Sequence, residues 1–173
     1  MVALFQFTYV GAPMMYYGTE AGMWGADDPC DRMPMVWPGM QFDPQQADPR
    51  DRDREPCPVG FDQTTFAFYR AAIELRKKYP CLRHGGIEFF PADDEARFLA
   101  FERRDTQDRL LVGFNRGAEP YAWRISSPAG SSVAQIFTAS GEAQKFALAA
   151  GGESTVVTVP PLEAVVLRVA PAN

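Results

Sequence analysis

A chain of 173 residues with 46% hydrophobic and 23% charged residues has the make-up of a globular protein that can bury a core, as one good-sized domain or two small ones. Its net charge of −5, with no Lys/Arg cluster on a predicted helix, speaks against nucleic acid as a partner and suits a neutral, polyhydroxylated ligand better. Cys30, Cys57 and Cys81 never fall in a C-x-x-C spacing and His84 is the single histidine, so the sequence encodes neither a disulfide framework nor a zinc site, and no metal or cofactor is expected.

Val2 to Tyr9 is apolar at nearly every position and predicts the last turns of a buried helix, stopped by Gly11 and Pro13. A chain that starts inside a helix looks cut. No Lys or Arg precedes the apolar stretch 2–16, which is far too short to cross a membrane, so neither a leader nor a membrane partner is expected and the reduced thiols suit a cytoplasmic protein. Met14 to Tyr17, bracketed by Gly11, Pro13 and Gly18, reads as a short buried strand. It leaves into a loop carrying Glu20, Asp28, Asp31, Arg32 and Trp37. That mixture of carboxylates, guanidinium and flat aromatic surface is what a sugar site needs.

Residues 38–62, rich in Pro, Asp, Arg and Gln, read as a solvated loop; the alternative is a charged rim around a substrate cleft. Asp62 is the predicted N-cap of a helix from Thr64 to Tyr79, with Lys77 and Lys78 at its carbonyl end and Pro80 ending it. Phe68, Ala72, Leu75 and Tyr79 form one apolar stripe, and Phe66 and Ile73 lie on the opposite side. From Gly86 the period changes to two. Strands are predicted at 97–103, 109–115, 120–125, 133–137, 145–148, 154–159 and 164–169, with a further one possible at 87–90, in the pattern of an antiparallel sandwich. Gly151-Gly152 reads as a hairpin turn.

Two spaced motifs carry a resemblance. Gly11-x-Pro-x-x-Tyr-Tyr-Gly-x-Glu20-x-Gly-Met, followed by Asp28-Pro-x-x-Arg32-x-Pro-Met-x-Trp37, is similar to the end of the catalytic barrel in the α-amylase family, glycoside hydrolase family 13, most closely its neopullulanases and cyclomaltodextrinases. Phe68 to Pro80 with Leu82-Arg-x-Gly85 resembles that family's eighth barrel helix. Phe98 to Arg103, Leu111 to Asn115 and Pro160 to Leu167 resemble its C-terminal sandwich, domain C. The implied fold is α+β: the truncated end of a TIM (β/α)8 barrel, with its last strand and last helix in residues 1–84, followed by an antiparallel β-sandwich in 85–173.

The resemblance also sets what chemistry to expect. Retaining glycosidases use two carboxyls about 5 to 5.5 Å apart, and the family's Asp nucleophile, Glu acid and assisting Asp stand on barrel strands four, five and seven. No residue here occupies a matching position, so no catalytic residue is assigned, and an upstream barrel segment is implied as partner. Asp28 and Arg32 match residues that bind a donor-side glucose of an α-glucan or maltooligosaccharide in neopullulanase-like relatives; a loop-internal ion pair between the two is the competing reading. Cys30, Asp31 and Met33 depart from the commoner form of that motif. Glu20 corresponds to a loop brace more than a catalyst, Trp37 to packing more than a sugar platform, and Tyr17 is a weaker candidate contact. The rival reading is a non-enzymatic module: a sandwich that binds glucan through Tyr121 and Trp123, which alternation puts on one face, or that dimerises. An unpaired barrel strand and half-covered helix would also favour homo-oligomers.

Overall fold

The computed structural model describes residues 1–25, 28, 32–47, 52–126, 128, 131–139 and 154–170. The chain divides into two compact units, Met1–Pro13 with Ala72–Asn173, and Met14–Ala71.

In the larger unit, strands β3 (Gly86–Phe89), β4 (Phe98–Arg104), β5 (Arg109–Asn115), β7 (Ser132–Thr138) and β9 (Ala164–Ala170) form an antiparallel sheet in the order β3-β4-β5-β9-β7. β6 (Tyr121–Ser126) and β8 (Ser154–Val159) pair as a second, two-stranded sheet. Alternation decides which side chains meet. Phe98 and Ala100 of β4, Leu111 of β5 and Val165, Leu167 and Val169 of β9 share a core with Trp123, Ile125, Val157 and Val159 of the small sheet. Gly113 is required at its place in β5, because a Cβ there would come within 2.8 Å of the Trp123 ring and 3.1 Å of Phe98. Tyr121 and Trp123 thus pack toward the core, Trp123 buried and Tyr121 partly so, and the exposed glucan platform considered for them is not formed.

The other face of the large sheet is covered by helices. α1 (Val2–Thr8) lays Phe5 against Phe101 and Phe114, with ring centroids 5.9 and 5.7 Å apart, and buries Leu4 and Phe7. Two arginines fasten its end. Arg103, fully buried on β4, donates to the carbonyls of Thr8 (2.6 Å), Leu82 (3.0 Å), Gly85 (3.0 Å) and Gly86 (3.2 Å). Arg76 donates to those of Phe7 (2.8 Å), Tyr9 (3.2 Å) and Gly11 (2.6 Å). A guanidinium suits this work because its planar fork of donors meets carbonyls that a helix end leaves without partners. Burial lowers both pKa values from the usual arginine range, and the second guanidinium adds to the effect on Arg103.

α2 (Gln63–Lys78) follows the predicted helix, and Ala72, Leu75 and Tyr79 are buried. α3 (Cys81–His84) buries Cys81 and Leu82 and stands beside β4. The six predicted strands that fall on described residues all form, and the possible one at 87–90 forms as β3; those expected at 145–148 and the turn at Gly151-Gly152 lie outside the described residues. None of the described helices is long and apolar enough to cross a membrane.

Two expectations for the smaller unit need correction. Residues 12–16 join no sheet among the described residues, and Met14 is 82% and Tyr16 54% exposed, where a buried strand was predicted. A parallel barrel strand holds its shape through ladders to neighbours on both sides, and no described strand offers it one. Residues 38–62, read as a loop, contain an antiparallel hairpin of β1 (Gln45–Ala47) and β2 (Asp53–Cys57), with Gln45 opposite Cys57. Its side chains carry no alternating apolar signal, so it is held by backbone pairing that composition does not reveal.

Candidate functional site

The sequence-predicted contacts all lie in the smaller unit, on the chain that follows Pro13. That chain turns at Gly18, makes one 3₁₀ turn over Thr19–Ala21, and turns again at Gly22, both glycines having positive φ. The second turn sits against the start of α2: Asp62 donates its backbone N–H to the Ala21 carbonyl at 2.9 Å, and a Cβ on Gly22 would come within 2.7 Å of the Asp62 side chain. Asp62 also accepts from the backbone N–H of Thr64 (2.9 Å) and Thr65 (3.0 Å) and from the Thr65 hydroxyl (2.6 Å). Those bonds, the Thr65 hydroxyl foremost, hold its carboxyl below the usual range. One residue thereby caps the helix and pins the loop.

Further on, the two arms of the loop are tied across. The Tyr17 hydroxyl donates to the Met33 carbonyl at 2.9 Å, and the Val36 N–H points at the Met23 sulfur at 3.5 Å. Tyr16 and Tyr17 hold their rings 4.7 Å apart and, with Trp24 and Met33, line a depression of about 90 Å³. Ligand pockets for whole small molecules run from about 300 to 1,000 Å³, so this depression does not enclose one by itself.

Asp28 and Arg32 come together as a fork: Arg32 Nε lies 2.9 Å from Asp28 Oδ1 and Nη2 lies 3.1 Å from Oδ2, with both side chains about two-thirds exposed. The ion pair weighed as the competing reading is therefore present. Water screens such a pair, so opening it costs little. A diol can then take the place of each partner, with donors from the guanidinium and acceptors from the carboxylate.

Trp37 is 59% exposed. Glu20 is placed differently again. Its Oε2 is buried and has no hydrogen-bond partner among the described residues, and its carboxylate adds to the effect of burial in raising the pKa of Tyr69 on α2. Tyr69 escaped the sequence reading; its only signal was a place beside Phe68 on the apolar side of the predicted helix. Asp31 and Cys30 lie outside the described residues. Among the described residues no cluster of His, Cys, Asp or Glu could hold a metal ion.

The sequence family described as "Alpha amylase, C-terminal all-beta domain" matches residues 91–170, the span of β4 to β9. A cyclomaltodextrinase of Geobacillus thermopakistaniensis is 32% identical over 164 residues, 93% of this chain and 23% of that protein. Neopullulanase 2 of Thermoactinomyces vulgaris is 30% identical over 142 residues, 82% of this chain and 21% of that protein. A solved structure of a cyclomaltodextrinase matches 98% of this chain and 25% of its own, with TM-score 0.69 at 26% identity. The chain spans about a fifth of the length of the curated relatives it matches. With the all-β domain matched by the family and the residues before it aligned to cyclomaltodextrinases and a neopullulanase, this chain belongs to the α-amylase family.

Proposed function

We propose that these residues are the C-terminal part of a retaining α-glucan hydrolase of the neopullulanase and cyclomaltodextrinase kind. Residues 1–84 are then the end of its catalytic barrel and 85–173 its domain C. The acid and the nucleophile come from barrel strands outside this sequence, and this part supplies donor-side contacts through Asp28 and Arg32. The observation that carries the reading is the exposed Asp28–Arg32 fork on a loop whose arms are cross-tied. The shallow depression and the exposure of Met14, Tyr16 and Trp37 support it, since these are surfaces that barrel segments and substrate would cover together. A cytoplasmic setting belongs to the same reading and is supported by the free thiols of Cys57 and Cys81.

Two measurements test it. Titration with maltoheptaose, followed by amide resonances, should move residues 32–37, and Arg32→Met should abolish those shifts. The 173-residue chain should not turn over cyclodextrin, pullulan or starch; robust hydrolysis would overturn the assignment of the chemistry to absent strands.

A further inference from the structure

The Asp28–Arg32 fork is not aimed by its own packing. Both side chains are about two-thirds exposed, and the ion pair fixes one against the other without fixing either to the rest of the unit. Its direction therefore depends on the backbone that carries it. One residue past Arg32 that backbone is fastened, because the Tyr17 hydroxyl donates to the Met33 carbonyl at 2.9 Å. Met33 also precedes Pro34, whose ring confines it to extended backbone. A residue so restricted and held at its carbonyl passes little slack to its neighbour. Tyr17 is itself well placed to hold it. Gly18 turns the chain at φ +82° directly after it, the Thr19 N–H reaches the Tyr16 carbonyl (3.2 Å), and the Met23 N–H reaches the Gly18 carbonyl (2.9 Å). The other tie between the two arms runs from the Val36 N–H to the Met23 sulfur at 3.5 Å, and a thioether is a poor acceptor. The tyrosine hydroxyl thus carries the larger share.

We propose that Tyr17 is a positioning residue, whose hydroxyl acts on a bound glucan through Arg32 and does not touch the sugar. A hydroxyl has one proton to give, and here the Met33 carbonyl takes it. This role presupposes the donor-side function proposed above for Asp28 and Arg32. It replaces the direct contact that the sequence suggested for Tyr17.

The test uses the full 173-residue chain and Tyr17→Phe, which removes a single oxygen from a side chain that is 45% exposed. A loss at such a place should leave the melting temperature within roughly 2 °C of the parent. In the sugar-free chain the Arg32 Nε–H resonance should move toward that of a free arginine and lose its heteronuclear NOE, since the fork is no longer held in one direction. Maltoheptaose should then bind roughly five-fold more weakly, the worth of one hydrogen bond. Weaker binding with the Arg32 resonance unchanged would mean that the tyrosine touches the sugar. A disturbed Arg32 resonance with full affinity would mean that the tie serves the loop alone. Either result, or no change in both readouts, would overturn the positioning role while leaving the Asp28–Arg32 site in place. Should maltoheptaose give no Arg32-dependent shifts in the parent chain, the site itself falls and the role of Tyr17 with it.

Discussion

Arg103→Met tests how the fold is held together. The substitution keeps an unbranched side chain in place but withdraws the donors from four carbonyls, those of Thr8, Leu82, Gly85 and Gly86. Arg103, Thr8 and Leu82 are all fully buried, so water does not replace what is lost. At a net value of about 1 kcal/mol per hydrogen bond, reduced somewhat because a charge no longer has to be desolvated, the loss comes to about 3 kcal/mol. For a chain of this length that lowers the melting temperature by roughly 6 to 12 °C. Urea unfolding of the purified chain should show the midpoint falling with an unchanged slope. Arg103→Lys, which keeps the charge but loses the fork, should lie between the two. Hydrogen exchange should speed up first at α1, whose C-terminal carbonyl is released. A melting temperature within 2 °C of the parent would refute the claim that the guanidinium holds the helix to the sheet.

Three further outcomes follow from packing and charge. Gly113→Ala brings a Cβ into the Trp123 ring and should destabilise the chain by about 1 to 3 kcal/mol, read as a lower melting temperature with a changed tryptophan environment in near-ultraviolet circular dichroism. Cys81 is buried and its thiol is pushed up to about 12, mainly by burial and then by Asp105 and Asp108, so at pH 8 iodoacetamide should label the less buried Cys57 in the folded chain and reach Cys81 only after denaturation, as read by peptide mass spectrometry. Asp62 has a folded pKa below its unfolded one, so the stability it adds is present at neutral pH and fades as pH falls from about 3.9 through the lower folded value. The gap in helical circular dichroism between the parent and Asp62→Ala should therefore narrow in acid, and a gap that stays constant down to pH 2 would contradict it.

Much of this protein could be read from local pattern. Breakers at Gly11 and Pro13, the acidic cap at Asp62 and the lysines before Pro80 bounded two helices, because each acts on backbone groups within a turn of itself. Alternation placed the strands of the sandwich, since side chains one residue apart leave a sheet on opposite faces. The pairing of Asp28 with Arg32 was legible as one of two readings, being four residues apart on one loop.

What local pattern could not reach were interactions whose partners are distant in the chain or missing from it. Nothing local in the sequence sets Arg76 or Arg103 apart; only the fold brings them to carbonyls some 70 and 95 residues away, where burial makes them structural. Tyr121 and Trp123 had an alternating pattern that fits an exposed platform as well as a core, and the second sheet decided for the core. Residues 12–16 have the composition of a strand but join no sheet among the described residues, because a parallel strand forms only where neighbouring strands lie beside it.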